Sequence, residues 1–278
     1  MPDPNPRSVC ALAIDVDGTL LDPGHEVTSA AQQAVHMLRD SGVLPVITTS
    51  RPPAAIAAFV RLLDLADMPV VTCQGAVWGS TDSVGTFHAR TEHPVNIDDA
   101  RDVARLAHEH GFGVSWFYPD CWLAESADPL VAQEEVITGT SARRVSQLTD
   151  EVRPPLKILI MATPGREAEL SGMSRALPST VAGATSRSDY LEIVKRGVSK
   201  WSALEEVFAA HDVPIDRTAA IGDGNNDLEM ISNAAIGIAM GHAPSTVRQA
   251  ARWIAPDNRH EGFAAAVAWL LRHGLDAD

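Results

Sequence analysis

The chain has 278 residues, enough for one large or two modest domains with a sizeable core. Apolar residues make up 45% and charged residues 21%, which speaks against a disordered or fibrous chain. The 22 Lys+Arg against 36 Asp+Glu give a formal charge of −14, a surface that repels nucleic acid and anionic lipid and leaves a small molecule as the expected partner. Residues 1–10 lack the basic start and apolar run of a signal peptide. Residues 9–14 form a short apolar run that breaks into DVDGT, a buried strand entering a polar loop. Residues 28–40 carry small and apolar residues at helical spacing, with Thr28 or Ser29 as cap and Gly42 as stop. Strands are predicted at 43–48 and 69–73, with a helix from Pro52-Pro53 to about residue 64 between them. Alternating strands and helices predict a mostly parallel sheet covered on both faces.

From about residue 80 the texture changes. A helix is predicted over 97–110, then strands at 113–118 and 121–125 around a Pro119-Asp120 turn. Strands at 156–161 and 189–194 flank a helical stretch over 166–177, which suggests an antiparallel α+β insert. Trp116, Phe117, Tyr118 and Trp122 in the hairpin are expected to form the insert's own core. The first pattern resumes near residue 195, with a helix over 199–211, strands at 218–221 and 236–240, and a helix after Asn225. The longest apolar stretch, residues 263–271, falls far short of the ~20 residues of a membrane helix. Cys10, Cys73 and Cys121 are odd in number and widely spaced, as expected of free thiols in a reducing compartment rather than a disulfide or zinc framework. A soluble cytoplasmic protein is expected. His108 and His110 lie on a predicted surface helix, where a solvated face is favoured over a metal role, and the remaining histidines show no ligand spacing.

Four polar clusters fall where open parallel sheets gather their reactive groups, beyond the carboxyl ends of strands. In Asp15-Val16-Asp17-Gly18-Thr19 two carboxylates one residue apart can address one centre, Asp15 as nucleophile and Asp17 as acid and base; a turn or helix cap gives the same spacing. Thr49-Ser50-Arg51 offers hydroxyls and backbone N–H groups ahead of a helix, an anion seat or ordinary capping. Gly197-Val198-Ser199-Lys200 puts a lysine in the first turn of a helix, where the dipole disfavours a cation unless it is solvated or serves an anion. Gly222-Asp223-Gly224-Asn225-Asn226-Asp227 supplies hard oxygen ligands of the kind magnesium prefers, or an Asx-rich turn. It lacks the alternating ligand spacing of a calcium loop. Arg51 and the pair Arg143-Arg144 are placed to meet a second anionic group on a ligand, with a solvated face favoured for the pair.

These clusters, in this order and with the strings DVDGTLL, TTSRP, YLEIVKRGVSK and GDGNND, resemble the haloacid dehalogenase-like superfamily in its phosphatase branch. The insert's position and GDGNND are similar to the Cof-type subfamily with a large α/β cap, and MGHAPSTVRQAARWIAPDN adds support. The resemblance implies an α/β fold, a Rossmann-like, mostly parallel core over 1–80 and 188–278 with an inserted α+β cap over 81–187. It implies Asp15 as nucleophile and Mg²⁺ ligand, and Asp17 as general acid and base lending its backbone carbonyl to the metal. Thr49 and Ser50 would seat the phosphoryl group, Lys200 would neutralise it, Asp223 would ligate the metal, and Asn226 and Asp227 would order the site. The acid at position 17 speaks against carbon–halogen and carbon–phosphorus cleavage.

Several positions depart from the family pattern: Gln74 for an asparagine, Ser50 and Trp201 for glycines, and His242 for a frequent asparagine. Gln74 and His242, with Arg51, are expected near the entrance. The function so implied is a magnesium-dependent phosphatase of small phosphorylated metabolites, sugar phosphates leading, acting through an aspartyl-phosphate on Asp15. A phosphomutase of the same fold and a non-catalytic phosphometabolite sensor are the rivals.

Overall fold

A computed structural model describes residues 9–125, 128–185 and 187–274. Residues 1–8, on which the expectation of no leader largely rests, lie outside them. The chain begins with β1 (Ala11–Asp15), α1 (Ser29–Asp40), β2 (Leu44–Thr48), α2 (Ala57–Leu62), β3 (Pro69–Thr72), β4 (Val77–Thr81) and β5 (Phe87–Glu92). It continues through α3 (Ile97–Glu109), β6 (Gly113–Phe117), β7 (Trp122–Glu125), α4 (Val131–Thr138), β8 (Arg143–Val145), β9 (Lys157–Met161), α5 (Glu167–Met173), β10 (Val181–Ala184) and β11 (Tyr190–Lys195). It ends with α6 (Lys200–Ala210), β12 (Thr218–Gly222), α7 (Leu228–Asn233), β13 (Ile236–Ala239), α8 (Ser245–Ala250), β14 (Trp253–Ile254) and α9 (Gly262–His273).

Eight strands form one sheet in the order β14-β13-β12-β1-β2-β3-β4-β5. The run from β14 to β3 is parallel, and β4 and β5 add antiparallel at the far edge. Strand β1 is buried on both faces, and its alternation divides the core. Leu12 and Ile14 pack with Leu38 of α1 and Leu270 of α9. Ala11 and Ala13 face Trp201 and Leu204 of α6 and Met230 of α7; small side chains there let those helices lie close to the sheet. Thr28 caps α1 as expected, its hydroxyl accepting from the Ala31 N–H at 3.1 Å.

The other six strands form a second sheet, β10-β11-β9-β6-β7-β8, antiparallel apart from the β7–β8 pair. Its hairpin turns at Pro119-Asp120, with the Tyr118 N–H donating to the Cys121 carbonyl at 2.9 Å. Helices α3 and α5 cover one face. On the other, Phe117, Leu159 and Tyr190 pack with Val131 of α4 and with Cys73, Ala76 and Val77, which follow β3. That packing sets the second sheet over the carboxyl ends of β1, β2 and β3.

Sheet membership departs from the expected boundaries at both ends. The β4–β5 hairpin extends the first sheet to Glu92, although the sequence changes character near residue 80. The change marks a switch from parallel to antiparallel pairing, which a sheet edge accommodates as readily as a new unit. At the other end β11, past residue 187, belongs to the second sheet. No helix among the described residues is long and apolar enough to cross a membrane.

Phe117 and Trp122 stack at 5.1 Å between ring centroids, and the Trp122 indole N–H donates to the Thr140 hydroxyl at 3.1 Å. Trp122→Ala is therefore expected to lower the unfolding free energy in urea by about 3–5 kcal/mol. A change below ~1 kcal/mol would mean this stack is not part of the second unit's core.

Candidate active site

Strand β1 delivers Asp15 at its carboxyl end, buried at 5% exposure. The chain then turns through Val16–Leu20, with Gly18 at φ 81°. A Cβ on Gly18 would run into the Asp223 carboxylate, so a side chain there would both strain the positive φ and push Asp223 aside. Lys200 is the first residue of α6, which starts in a reciprocal cap between Ser199 and Ser202. Its Nζ donates to Asp15 Oδ1 and to Asp227 Oδ1, both at 2.6 Å, which answers why a lysine occupies the unfavourable end of a helix. Burial disfavours the ammonium, but Asp15 and Asp227 outweigh it and hold Lys200 well above its ordinary range.

Asp227 is fully engaged: its second oxygen accepts from the backbone N–H groups of Asp223 (3.0 Å) and Gly224 (2.8 Å). One oxygen of Asp15 accepts from Lys200, and the other takes no hydrogen bond among the described residues. Carboxylate oxygens of Asp15, Asp223 and Asp227 lie within 4.8 Å of one another. Three buried or half-buried carboxyl groups thus gather around one ammonium. The Asp15 carboxyl is accordingly pushed well up, first by burial and then by Asp227, with Lys200 opposing. Such a donor set suits a divalent cation with oxygen preference, and Asp15 and Asp223 hold the oxygens free to bind one.

Asp17 turns elsewhere. Its carboxylate takes a two-pronged contact from Arg51, Nε at 2.8 Å and a terminal nitrogen at 2.6 Å, with the His25 imidazole 3.7 Å away. Burial works to raise this carboxyl, but the Arg51 guanidinium leaves it below the usual carboxylate range. Ser50 and Arg51 line the cavity, while the Thr49 hydroxyl, fully buried, accepts from the Arg51 backbone N–H at 3.1 Å. Arg51, expected at the entrance, is thus the partner of Asp17.

The cavity has a volume of about 250 Å³ and is walled by both sheets. Asp15, Asp17 and Asn226 come from the core side, and Glu134, Lys157 and Glu192 from the second unit. These last three, with Tyr190, were missed in the sequence. Their one signal was chemical: Lys157 and Glu192 are lone charges inside the apolar strands KILIM and YLEIV. Lys157 Nζ donates to Glu192 Oε1 at 2.6 Å and across the cleft to the Ser50 carbonyl at 2.7 Å, and lies 4.6 Å from the Phe117 ring centroid. Gln74 is buried rather than at an entrance. Its amide donates to Glu192 Oε2 at 2.5 Å and its oxygen accepts from Asn226 at 3.3 Å. The extra methylene over asparagine gives it that reach across to the second sheet. His242 sits at the edge, its Nε2 3.3 Å from Asp223 Oδ2, and that carboxylate raises the imidazole above its ordinary value. Arg143 and Arg144 stay on the surface facing Glu151 and Glu135.

A family model described as haloacid dehalogenase-like hydrolase matches residues 12–267. A putative phosphatase, YxeH, of Bacillus subtilis (strain 168) is 27% identical over 274 residues, covering 94% of this chain and 97% of the relative. The pyridoxal phosphate phosphatase YbhA of Escherichia coli (strain K12) is 24% identical over 266 residues, covering 91% and 95%. A solved haloacid dehalogenase-like hydrolase from Bacteroides thetaiotaomicron superposes with a TM-score of 0.83 at 23% identity, over 94% of this chain and 99% of that one.

Proposed function

The chain belongs to the haloacid dehalogenase-like hydrolase family, and on that footing we propose that it is a magnesium-dependent phosphatase of small phosphorylated metabolites, sugar phosphates leading, working through an aspartyl-phosphate on Asp15. The observation that carries this reading is the buried Asp15 carboxylate at the cavity wall, one oxygen fixed by Lys200 and the other without a hydrogen bond among the described residues, with a second carboxyl two residues on. Asp15 bonds to phosphorus as the ester P–O bond breaks, and Asp17 gives its proton to the leaving oxygen. Water then attacks phosphorus, its proton passes to Asp17, and Asp15 is released as the carboxylate. Arg51 holds Asp17 in the ionised form suited to that second step, so the first step requires the Arg51–Asp17 pair to open.

Bound between Asp15 and Asp223, Mg²⁺ would offset the negative charge that converges there as a phosphate ester arrives. Lys200 restrains Asp15 and supplies one positive charge, and Ser50 with its neighbouring backbone seats the phosphoryl group, while the buried Thr49 hydroxyl holds the loop by accepting from the Arg51 N–H. The second unit acts as the cap, with Lys157 bridging Glu192 and the Ser50 carbonyl to hold water out of the cavity.

EDTA is expected to reduce phosphate release at least ~100-fold, with recovery on added magnesium. Magnesium should also raise the thermal midpoint of the wild type, by the equivalent of about 2.7 kcal/mol at a hundredfold excess over Kd, and far less in Asp223→Ala. Phosphate release indifferent to EDTA, or an equal thermal response in Asp223→Ala, counts against the metal assignment.

A further inference from the structure

We infer that the cavity selects a small phosphomonoester whose leaving group carries a hydrogen-bond donor, a hydroxyl or an ammonium, and no second anionic group, and that Glu134 is the specificity-determining acceptor for it. This rests on the phosphatase reading. The cations around the cavity are already matched: Arg51 with Asp17, Lys157 with Glu192, Arg187 with Asp189, and Lys200 with Asp15 and Asp227. Apart from Arg51, which parts from Asp17 in the first step, none among the described residues is left over to greet a second phosphate or a carboxylate.

Glu134 is the opposite case. It stands on α4 at 4% exposure, in the wall of the cavity that holds Asp15. One oxygen accepts from the Tyr190 hydroxyl at 2.7 Å, and the other has no hydrogen-bond partner among the described residues. Glu134 makes no ion pair there either; Lys157 and Arg51 attract it only through space, and burial dominates to push its carboxyl up. That second oxygen opens onto the cavity with unused acceptor capacity, so a donor on the ligand can take it up where a like charge would be repelled. The cavity's ~250 Å³ also lies below the usual range of about 300–1,000 Å³ for drug-sized ligands, which suits a compact leaving group.

The test measures kcat/KM in magnesium for p-nitrophenyl phosphate (no donor), glucitol 6-phosphate (hydroxyls), phosphoethanolamine (ammonium) and 3-phosphoglycerate (second anion). The wild type should turn over one of the donor-bearing probes at least ~10-fold better than 3-phosphoglycerate. Glu134→Ala should lose about 10–100-fold on that preferred probe, change p-nitrophenyl phosphate by less than ~3-fold, and improve 3-phosphoglycerate. The isosteric Glu134→Gln separates the two donor types: it retains hydroxyl substrates through its amide oxygen and loses the ammonium one. An equal loss on all four probes makes Glu134 a structural residue and overturns the inference, as does a wild-type preference for 3-phosphoglycerate. Undiminished discrimination in Glu134→Ala, with p-nitrophenyl phosphate still hydrolysed, sinks this inference alone. No phosphate release from any probe sinks the phosphatase reading with it.

Discussion

Asp15→Asn is expected to lower phosphate release by about 10⁴-fold or more while leaving the thermal midpoint at or above that of the wild type. The two effects have one origin. Asparagine cannot form the acyl phosphate, so the route through a covalent intermediate closes. At the same time, the substitution removes one of three converging carboxylates, and Lys200 keeps its contact with Asp227. Burial and the neighbouring charge of Asp227 raise the Asp15 carboxyl in the folded protein, so the folded state holds that proton more tightly than the unfolded chain. The stability Asp15 contributes is therefore fully present below its unfolded pKa and is lost as pH rises through the higher folded one. Metal-free wild type carries more of that loss as pH rises, and Asp15→Asn carries none of it. Scanning calorimetry in EDTA from pH 4 to pH 8 should show the gap between variant and wild type widening with pH. A variant that keeps its activity, or one whose advantage is largest at pH 4, contradicts the charge assignment.

Lys200→Met is expected to be damaging in both respects. Methionine matches the stem's volume but leaves Asp15 and Asp227 facing each other in a buried site without a cation. Removing one partner from a buried charge cluster costs about 3–5 kcal/mol. At roughly 2–4 °C per kcal/mol for a chain of this size class, the thermal midpoint should fall by about 6–20 °C. Phosphate release should fall by about 10²–10³-fold, because Asp15 is no longer restrained and one positive charge is missing beside the phosphoryl oxygens. Added magnesium should recover more of the midpoint in Lys200→Met than it adds to the wild type, since it replaces part of the lost charge. Unchanged stability in the variant would show that Lys200 is not what neutralises the pair.

The core of the site was legible because each part announces itself locally. The run from Val9 into DVDGT exposes a strand ending in acids, and Lys200 stands out because its helix end disfavours it. GDGNND shows its glycines and oxygen ligands within six residues, and its division of labour follows from hydrogen bonding: Asp227 spends both oxygens on Lys200 and two backbone N–H groups. The second wall was not legible. Gln74 reaches Glu192 across 118 positions and Lys157 reaches it across 35, contacts created by the docking of one sheet on another. Helix α4, which carries Glu134, begins without a side-chain cap and was not anticipated at all. Arg51 was assigned to the ligand because a free guanidinium near a crevice invites that reading; only the fold reveals Asp17 as its partner. The β5 edge escaped for a related reason, since its residues are largely exposed and carry little of the apolar signal that marks a strand.

Asp15 as the covalent nucleophile is the claim on which the rest depends. The magnesium-loaded enzyme, quenched in acid during turnover of a phosphomonoester, reduced with borohydride and digested, can be read by peptide mass spectrometry. An aspartyl-phosphate on Asp15 is converted by this treatment to homoserine at position 15, in an amount that rises with substrate and is absent from Asp15→Asn. Turnover that leaves Asp15 unmodified, or that places the phosphoryl group on another residue, contradicts the account.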